Sequence, residues 1–218
     1  MRLAKASLML GILGFSGVAS AVPSLTFIID GDTFSQPYAI TNSSTAGERV
    51  IRFQLDLSTI APRSFCYDTV DNANCNSGSV NAGVAFAATG GTGASTGLVG
   101  APVVADATKL LDISFNNFDA GETFEWVIDV DEANGVIADQ TVSGNELIGA
   151  TALVDFSDGQ RLTGVLAAVP GNDLASQFTV TGTGPIPIPE PTSLALLGLG
   201  LGALGFIRRQ SPRLGAGK

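Results

Sequence analysis

One run of residues decides the fold class, and it reads Phe124-Glu125-Trp126-Val127-Ile128-Asp129-Val130. Apolar side chains recur at every second position, which is the period of a β-strand with one face in a core. The same alternation returns in further segments, at 25–29, 51–57, 111–115, 150–156, 162–166 and 178–180. At a usual strand length of five or six residues, this pattern predicts about eight to ten strands. We expect an all-β fold, an antiparallel β-sandwich of the jelly-roll or Ig-like kind.

The connections between these strands carry their own signals. Asp158-Gly159 follows the 150–156 strand and predicts a type I′ hairpin turn. The interval from about 72 to 100 is rich in Gly, Ser, Thr and Ala, which predicts a long surface loop. The segments 42–48 and 116–122 share Asn, Ala, Gly and Glu at matching positions. They predict either a shared turn before a strand or two related halves of a sandwich.

Composition removes several classes of function. The chain has 218 residues with 11 Lys and Arg against 20 Asp and Glu, and it has no His. An acidic chain does not suit nucleic acid, whose phosphates need a basic face. The lack of His excludes His-based catalytic triads, His-ligated zinc and His-ligated haem. The mean hydropathy of +0.34 is high for such an acidic chain, and the two ends explain it.

The N-terminus has the three parts of a secretory signal peptide in order. Arg2 and Lys5 give a basic start, an apolar run covers 8–18, and Ala19 and Ala21 form an Ala-x-Ala cleavage site. The run is too short to span a bilayer, which needs about 20 residues. We expect residues 1–21 to form a signal helix that signal peptidase removes.

The C-terminus predicts a spacer, a short transmembrane helix and a basic tail. Residues 184–193 are Pro-rich, which favours an extended conformation. The apolar run 194–207 would rise about 21 Å as a helix, short of a hydrocarbon core of about 30 Å. Cationic residues in the tail, 208–218, place that end in the cytoplasm and the bulk of the chain outside.

These residues resemble a known sorting signal. Pro189-Glu190-Pro191, the short Gly- and Leu-rich run and Arg208-Arg209 together resemble the PEP-CTERM sorting signal. The resemblance implies export in a Gram-negative bacterium, transient anchoring in the inner membrane, and processing by exosortase, which would recognise Pro189, Glu190 and Pro191. The chain then reaches the cell surface or leaves the cell. The alternative is an ordinary single-span anchor that is never removed.

The domain that remains, 22–183, is strongly acidic. It keeps five Lys and Arg residues and nineteen Asp and Glu residues, a net charge of −14. Such a charge keeps an exported protein soluble, and it can attract divalent cations.

The two cysteines, Cys66 and Cys75, predict a disulfide. They are the only cysteines of a chain that is expected to leave the cytoplasm. Free buried thiols are the alternative. A catalytic cysteine would need a base, and the chain has no His to supply one.

A calcium site is the one cofactor that the sequence suggests. The segment 129–135 resembles a calcium loop, with Asp129, Asp131 and Asn134 as oxygen ligands. Asp119 and Glu122 could complete the set. The segment departs from the EF-hand spacing, and the alternative is a polar strand end followed by an Asn-Gly turn, with no cofactor at all.

For the mature domain we expect a non-enzymatic structural or interaction module among exopolysaccharide. The alternative is a carbohydrate-binding module, with or without calcium, which predicts an exposed Trp126 or Tyr67 as a stacking platform. A secreted glycan-active enzyme is the third hypothesis, and it requires two carboxylates that face each other across a cleft.

Overall fold

The structure is a computed structural model, and it describes residues 22–45, 47–71, 75, 82–133 and 142–183. The chain divides into two compact units, Met1–Pro185 and Ile186–Lys218. The predicted signal helix, Pro-rich spacer, transmembrane helix and basic tail lie outside the described residues. Within the described ranges, no helix is both long enough and apolar enough to cross a membrane.

Strands account for nearly all of the regular structure. Twelve are described: β1 (Ser24–Asp30), β2 (Tyr38–Asn42), β3 (Val50–Asp56), β4 (Phe65–Asp68), β5 (Ala87–Gly90), β6 (Leu110–Phe118), β7 (Thr123–Val127), β8 (Asp129–Glu132), β9 (Thr151–Phe156), β10 (Arg161–Val165), β11 (Ala167–Val169) and β12 (Asn172–Thr181). Two 3₁₀ turns, Leu57–Thr59 and Gly144–Leu147, complete the set. The count exceeds the predicted eight to ten because β4, β5, β8 and β11 have only three or four residues each. Strands that short carry little periodicity.

Every described pairing is antiparallel, as predicted. One sheet has six strands in the order β11-β12-β1-β2-β7-β5, a second has four in the order β10-β9-β3-β6, and β4 and β8 form a separate two-stranded ribbon. The antiparallel all-β class is therefore confirmed.

Aromatic side chains fill the space between the two larger sheets. Phe27 on β1 lies 5.0 Å from Phe53 on β3, measured between ring centroids. Trp126 on β7 lies 5.9 Å from Phe53, and it stacks on Phe27 at 5.8 Å. These rings are fully buried, so the alternation in the sequence correctly predicts the core face at these positions. Contacts between the inner faces of two sheets are the packing of a β-sandwich.

The start of β3 departs from the predicted alternation. Ile51, expected on the apolar face, is 43% exposed, whereas Val50 is fully buried. The register shifts between Val50 and Arg52 against both neighbouring strands. A bulge at this point turns one extra residue outward, which a strict period of two does not anticipate.

The hairpin between β9 and β10 forms where it is predicted, but its turn is of another type. The Gly159 N–H donates to the Phe156 carbonyl, and the Phe156 N–H donates to the Gln160 carbonyl. Gly159 has a φ of 87°, whereas Asp158 is absent from the residues with positive φ. A type I′ turn needs positive φ at both central residues, so this is a type I turn followed by a glycine bulge.

Part of the interval predicted as a loop, 72–100, is a strand. β5 pairs with β7 at the edge of the six-stranded sheet, and Leu98 forms an isolated bridge with Phe115. At Gly91, between these two contacts, a Cβ atom would collide with the backbone of Thr123. Small residues here allow two segments of the chain to approach closely. The same composition hides the strand from a reading based on apolar alternation.

The two similar segments at 42–48 and 116–122 meet in the fold. The Asn42 N–H donates to the Glu122 carbonyl, and the Gly121 N–H donates to the Asn42 carbonyl. Gly47 and Gly121 both have positive φ, at 94° and 89°. The shared glycine therefore serves the same turn conformation in both segments, which supports a common turn.

Replacing the central ring of the aromatic layer tests this packing. We expect Trp126→Ala to lower the free energy of unfolding by about 3–5 kcal/mol, because it opens a cavity that several rigid rings line. Val103→Ala, at a side chain that is 97% exposed, should change stability by no more than about 0.5 kcal/mol. Urea unfolding of both variants measures the difference. Equal, small effects would contradict a packed aromatic core.

Candidate functional site

The β4–β8 ribbon brings three aspartates to one place. Asp68 is directly opposite Asp129, and Cys66 is opposite Asp131. Side chains two residues apart share a face of a strand, so Asp68, Asp129 and Asp131 lie on the same face of the ribbon. Their carboxylate oxygens lie within 4.8 Å of one another. We call these three residues the acid triad.

The backbone of the segment before β5 covers the end of this ribbon. The Val84 N–H donates to the Asp68 carbonyl at 3.1 Å, and the Val84 carbonyl accepts from the Asp129 N–H at 3.0 Å. Gly83 lies so close to Asp68 that a Cβ atom there would come within 2.6 Å of a carboxylate oxygen. The triad therefore sits beneath main chain and not in an open cleft.

The triad is buried, and one of its members lacks a donor. Asp68 is 0% exposed, Asp131 is 3% and Asp129 is 4%. One oxygen of Asp129 accepts from the Val130 N–H at 2.9 Å. Neither oxygen of Asp68 accepts a hydrogen bond from an N–H or hydroxyl group in the described part of the chain, and its side-chain neighbours at hydrogen-bond range are the carboxyls of Asp106 and Asp131. A buried carboxylate without donors or a counter-charge is costly.

Burial and the neighbouring carboxyls raise the pKa values of Asp68 and Asp129. Burial is the main cause that raises the pKa of Asp68 to about 7, and the charges of Asp131 and Asp106 add to it. Burial also raises the pKa of Asp129 to about 7, followed by the charge of Asp131, while the Val130 N–H opposes the shift. The charge of Asp129 in turn adds to the effect of burial in raising the pKa of Tyr38. Asp106, from the segment before β6, is therefore a fourth carboxyl coupled to the triad.

All five basic side chains of the mature domain have partners outside the triad. All five Lys and Arg residues of 22–183 are described. Three arginines pair with surface aspartates, Arg63 bonds Glu132 and Glu146, and Lys109 Nζ donates to Ser64 Oγ at 2.6 Å. Among the described residues, protons or a bound cation are therefore the candidates for the charge that balances the triad.

The structure separates the calcium ligands proposed from the sequence. Asp129 and Asp131 lie together, as proposed, but Asp119 and Glu122 occupy the β6–β7 turn at the opposite end of β7. There the Asp119 N–H donates to Glu122 at 2.8 Å, and Asp119 approaches Arg49. A five-residue strand spans about 17 Å, so these two side chains do not belong to the triad. Asn134 lies outside the described residues.

The third triad member, Asp68, was missed by the sequence analysis. It comes 61 residues before Asp129, and only the pairing of β4 with β8 makes the two neighbours. A weak signal existed in Phe65-Cys66-Tyr67-Asp68, whose aromatic residues alternate with the cysteine and the acid.

The predicted disulfide forms beside the triad. Cys66 and Cys75 are bonded, with their Cα atoms 5.8 Å apart. Because Cys66 lies opposite Asp131 in the ribbon, the disulfide ties the segment after β4 to the same ribbon that holds the acids.

The aromatic side chains proposed as sugar platforms are not available. Trp126 and Tyr67 are both fully buried, and the Tyr67 hydroxyl donates to the Leu55 carbonyl at 3.3 Å. Stacking on a sugar ring requires an exposed aromatic face. A carbohydrate-binding site built on these two residues is therefore excluded.

The acid triad also differs from a glycosidase pair. Retaining enzymes separate their carboxyls by about 5–5.5 Å and inverting enzymes by about 6.5–9.5 Å across a substrate cleft. The triad is buried and covered by main chain, so its carboxyls do not face each other across a cleft. What the arrangement offers chemically is a set of hard oxygen donors, the kind that Ca²⁺ and Mg²⁺ bind.

Comparison with known proteins identifies the C-terminal segment. The family model of the PEP-CTERM protein-sorting motif matches residues 187–210. The chain thus carries a PEP-CTERM sorting signal, which indicates export and targeting to exosortase through a membrane-anchored intermediate. The match contains Pro189, Glu190, Pro191, Arg208 and Arg209. No curated protein and no solved structure matched the chain.

The raised pKa values predict an unusual pH dependence in the presence of a chelator. An unfolded Asp has a pKa of about 4, so between pH 4 and 7 the folded protein binds more protons than the unfolded chain. The free energy of unfolding therefore falls as pH rises through this window. The acids with lowered pKa, Asp112, Asp155 and Glu132, lose their contribution only at lower pH. We expect thermal melts in EDTA to give a higher Tm at pH 5.5 than at pH 8.

Two variants test whether the acid triad causes this dependence of Tm on pH. Asp68→Asn should reduce the difference between the two Tm values, because it removes one buried charge. Asp119→Asn, at an exposed turn, should leave it unchanged. A Tm that rises from pH 5.5 to pH 8 in the unmodified protein would be the wrong sign for buried acids.

Removing the disulfide should destabilise the domain by about 2.5–3 kcal/mol, the chain-entropy value for so short a loop. The double variant Cys66→Ala, Cys75→Ala avoids a buried polar replacement. Guanidinium unfolding measures the loss, and reduction of the unmodified protein should reproduce it. A change below about 0.5 kcal/mol would show that the crosslink does not constrain the unfolded chain.

Proposed function

We propose that residues 22–183 form a non-enzymatic structural or interaction module, which exosortase-dependent sorting delivers to the cell surface or into the extracellular polysaccharide matrix. Signal peptidase would first cleave after Ala21. We also propose that the sandwich is of the jelly-roll or Ig-like kind. The proposed delivery rests on the sorting motif at 187–210, which follows in sequence the compact unit that ends at Pro185.

The outer face of the four-stranded sheet supports a role as a hydrated surface module. A row of opposite charges crosses this face: Arg161 on β10 bonds Asp155 on β9, and Arg52 on β3 bonds Asp112 on β6. Gln54 donates to Asp112 as well, at 2.9 Å. Paired charges keep a sheet face soluble and discourage aggregation with other sheets. Such a face suits a hydrated polymer and offers no aromatic ring for stacking.

A calcium-dependent carbohydrate-binding module is the second candidate. The acid triad favours it, since oxygen-rich sites hold calcium in extracellular modules. The burial of Trp126 and Tyr67 counts against it. A glycan array probed with the exported protein, with calcium and with EGTA, separates the two functions: calcium-dependent binding to defined glycans would favour the second.

The sorting route has a direct test in cells that contain exosortase. Intact-mass analysis of the released protein should show a mature chain that begins at Val22 and lacks Phe206–Lys218. Glu190→Ala should block the second cleavage, because it changes the motif that the enzyme reads. Pro185→Ala, a spacer residue outside the matched segment, is the matched control and should be processed normally. Release of a chain that retains the C-terminal residues would contradict the proposal.

A further inference from the structure

The acid triad has the composition of a divalent cation site. Three carboxylates from two strands converge within 4.8 Å. A Ca²⁺ ion bonds oxygen at about 2.3–2.6 Å, so two oxygens on one ion lie no more than about 5 Å apart. The observed spacing lies within that pairwise limit.

A second observation, independent of the clustering, points to a ligand. Asp68 is fully buried, and neither of its oxygens accepts from an N–H or hydroxyl group of the described chain. Its side-chain neighbours at hydrogen-bond range are two further carboxyls, those of Asp106 and Asp131, which supply no donor when they are ionised. Buried polar atoms are almost always satisfied in folded proteins. Unsatisfied oxygens beside two further carboxylates are what a bound cation would satisfy.

Charge balance leads to the same conclusion. The five basic side chains of 22–183 all have partners elsewhere, so none of them is committed to balancing the charge of the triad. We propose that Asp68, Asp129 and Asp131 bind one Ca²⁺ ion, which joins β4 to β8 beneath the 82–86 segment.

The chemistry of the ligand atoms indicates which metal ion would bind. All three side chains offer hard oxygen ligands, the chain contains no His, and its only cysteines are in the disulfide. Soft and borderline metals such as zinc and copper prefer nitrogen and sulfur. Mg²⁺ gives up its water reluctantly, whereas Ca²⁺ accepts several carboxylates in a dry site. The proposal does not depend on whether exosortase cleaves the chain.

A bound ion would have a structural consequence. β4 and β8 form a ribbon outside the two larger sheets, and the repulsion among the triad opposes their pairing. A Ca²⁺ ion converts that repulsion into a crosslink. The ribbon would then close fully only after export, where calcium is abundant.

The test uses the exported protein, stripped with EGTA and titrated with CaCl₂ by calorimetry. We expect one ion per chain, with a Kd of about 10⁻⁴–10⁻³ M, the range of extracellular modules. Saturating calcium should raise Tm by several degrees, and MgCl₂ at the same concentration should bind at least about tenfold more weakly. Absence of both heat and a Tm shift would overturn the proposal, as would equal affinity for Mg²⁺.

Asp68→Asn distinguishes a metal site from a merely structural cluster, because the two roles predict opposite signs. In EGTA the variant should be more stable than the unmodified protein, since one repelling charge is gone. In calcium it should be less stable, with its affinity reduced at least about tenfold. Asp119→Asn is the matched control and should bind calcium normally. Calcium affinity that survives Asp68→Asn, or falls equally in Asp119→Asn, would place the ion elsewhere and overturn the proposal.

If Asp68→Asn fails to fold, Asp131→Asn provides the second variant. It removes a charge from the other strand of the ribbon, and the same reversal of stability between EGTA and calcium is expected. Unchanged calcium binding by Asp131→Asn would overturn the assignment.

Discussion

The aromatic layer between the two larger sheets is the constraint on which the rest of the domain depends. Trp126 on β7 contacts rings from β1, β2 and β3, and Phe86 from the segment before β5. These contacts fix the position of β7. The chain continues after one residue into β8, so the layer also fixes where Asp129 and Asp131 lie. The acid triad is therefore attached directly to the aromatic core.

A buried acid cluster next to such a core has few ways to balance its charge. The arginines of the domain are used on its surface, in the row across the four-stranded sheet and in the pairs of Arg63 with Glu132 and Glu146. Protons can neutralise the triad at low pH, and a divalent cation can do so at neutral pH. A protein sorted out of the cell meets calcium, so its fold can rely on an ion that the cytoplasm holds at low concentration. Export thus brings the protein to a place where the proposed calcium site can be occupied. Neither export nor the site depends on the other.

The sequence predicted what depends on local pattern. The alternation at 124–130 and in its counterparts identified the core face of β1, β3, β6, β7 and β9, and the motif at 187–210 followed from adjacent residues. Features that depend on pairing between distant segments were not predicted. Asp68 meets Asp129 only through the register of β4 with β8, whereas Asp119 and Glu122, although nearer in sequence, lie at the other end of β7. The strand at Ala87–Gly90 was likewise concealed by small residues whose role is to let chains approach.

Anomalous X-ray scattering would show directly whether the three carboxylates share a cation. Crystals of the exported protein grown with calcium should show one anomalous peak about 2.3–2.6 Å from carboxylate oxygens of Asp68, Asp129 and Asp131. A triad without a peak in crystals grown at saturating calcium would show that protons and not a metal balance the buried charge.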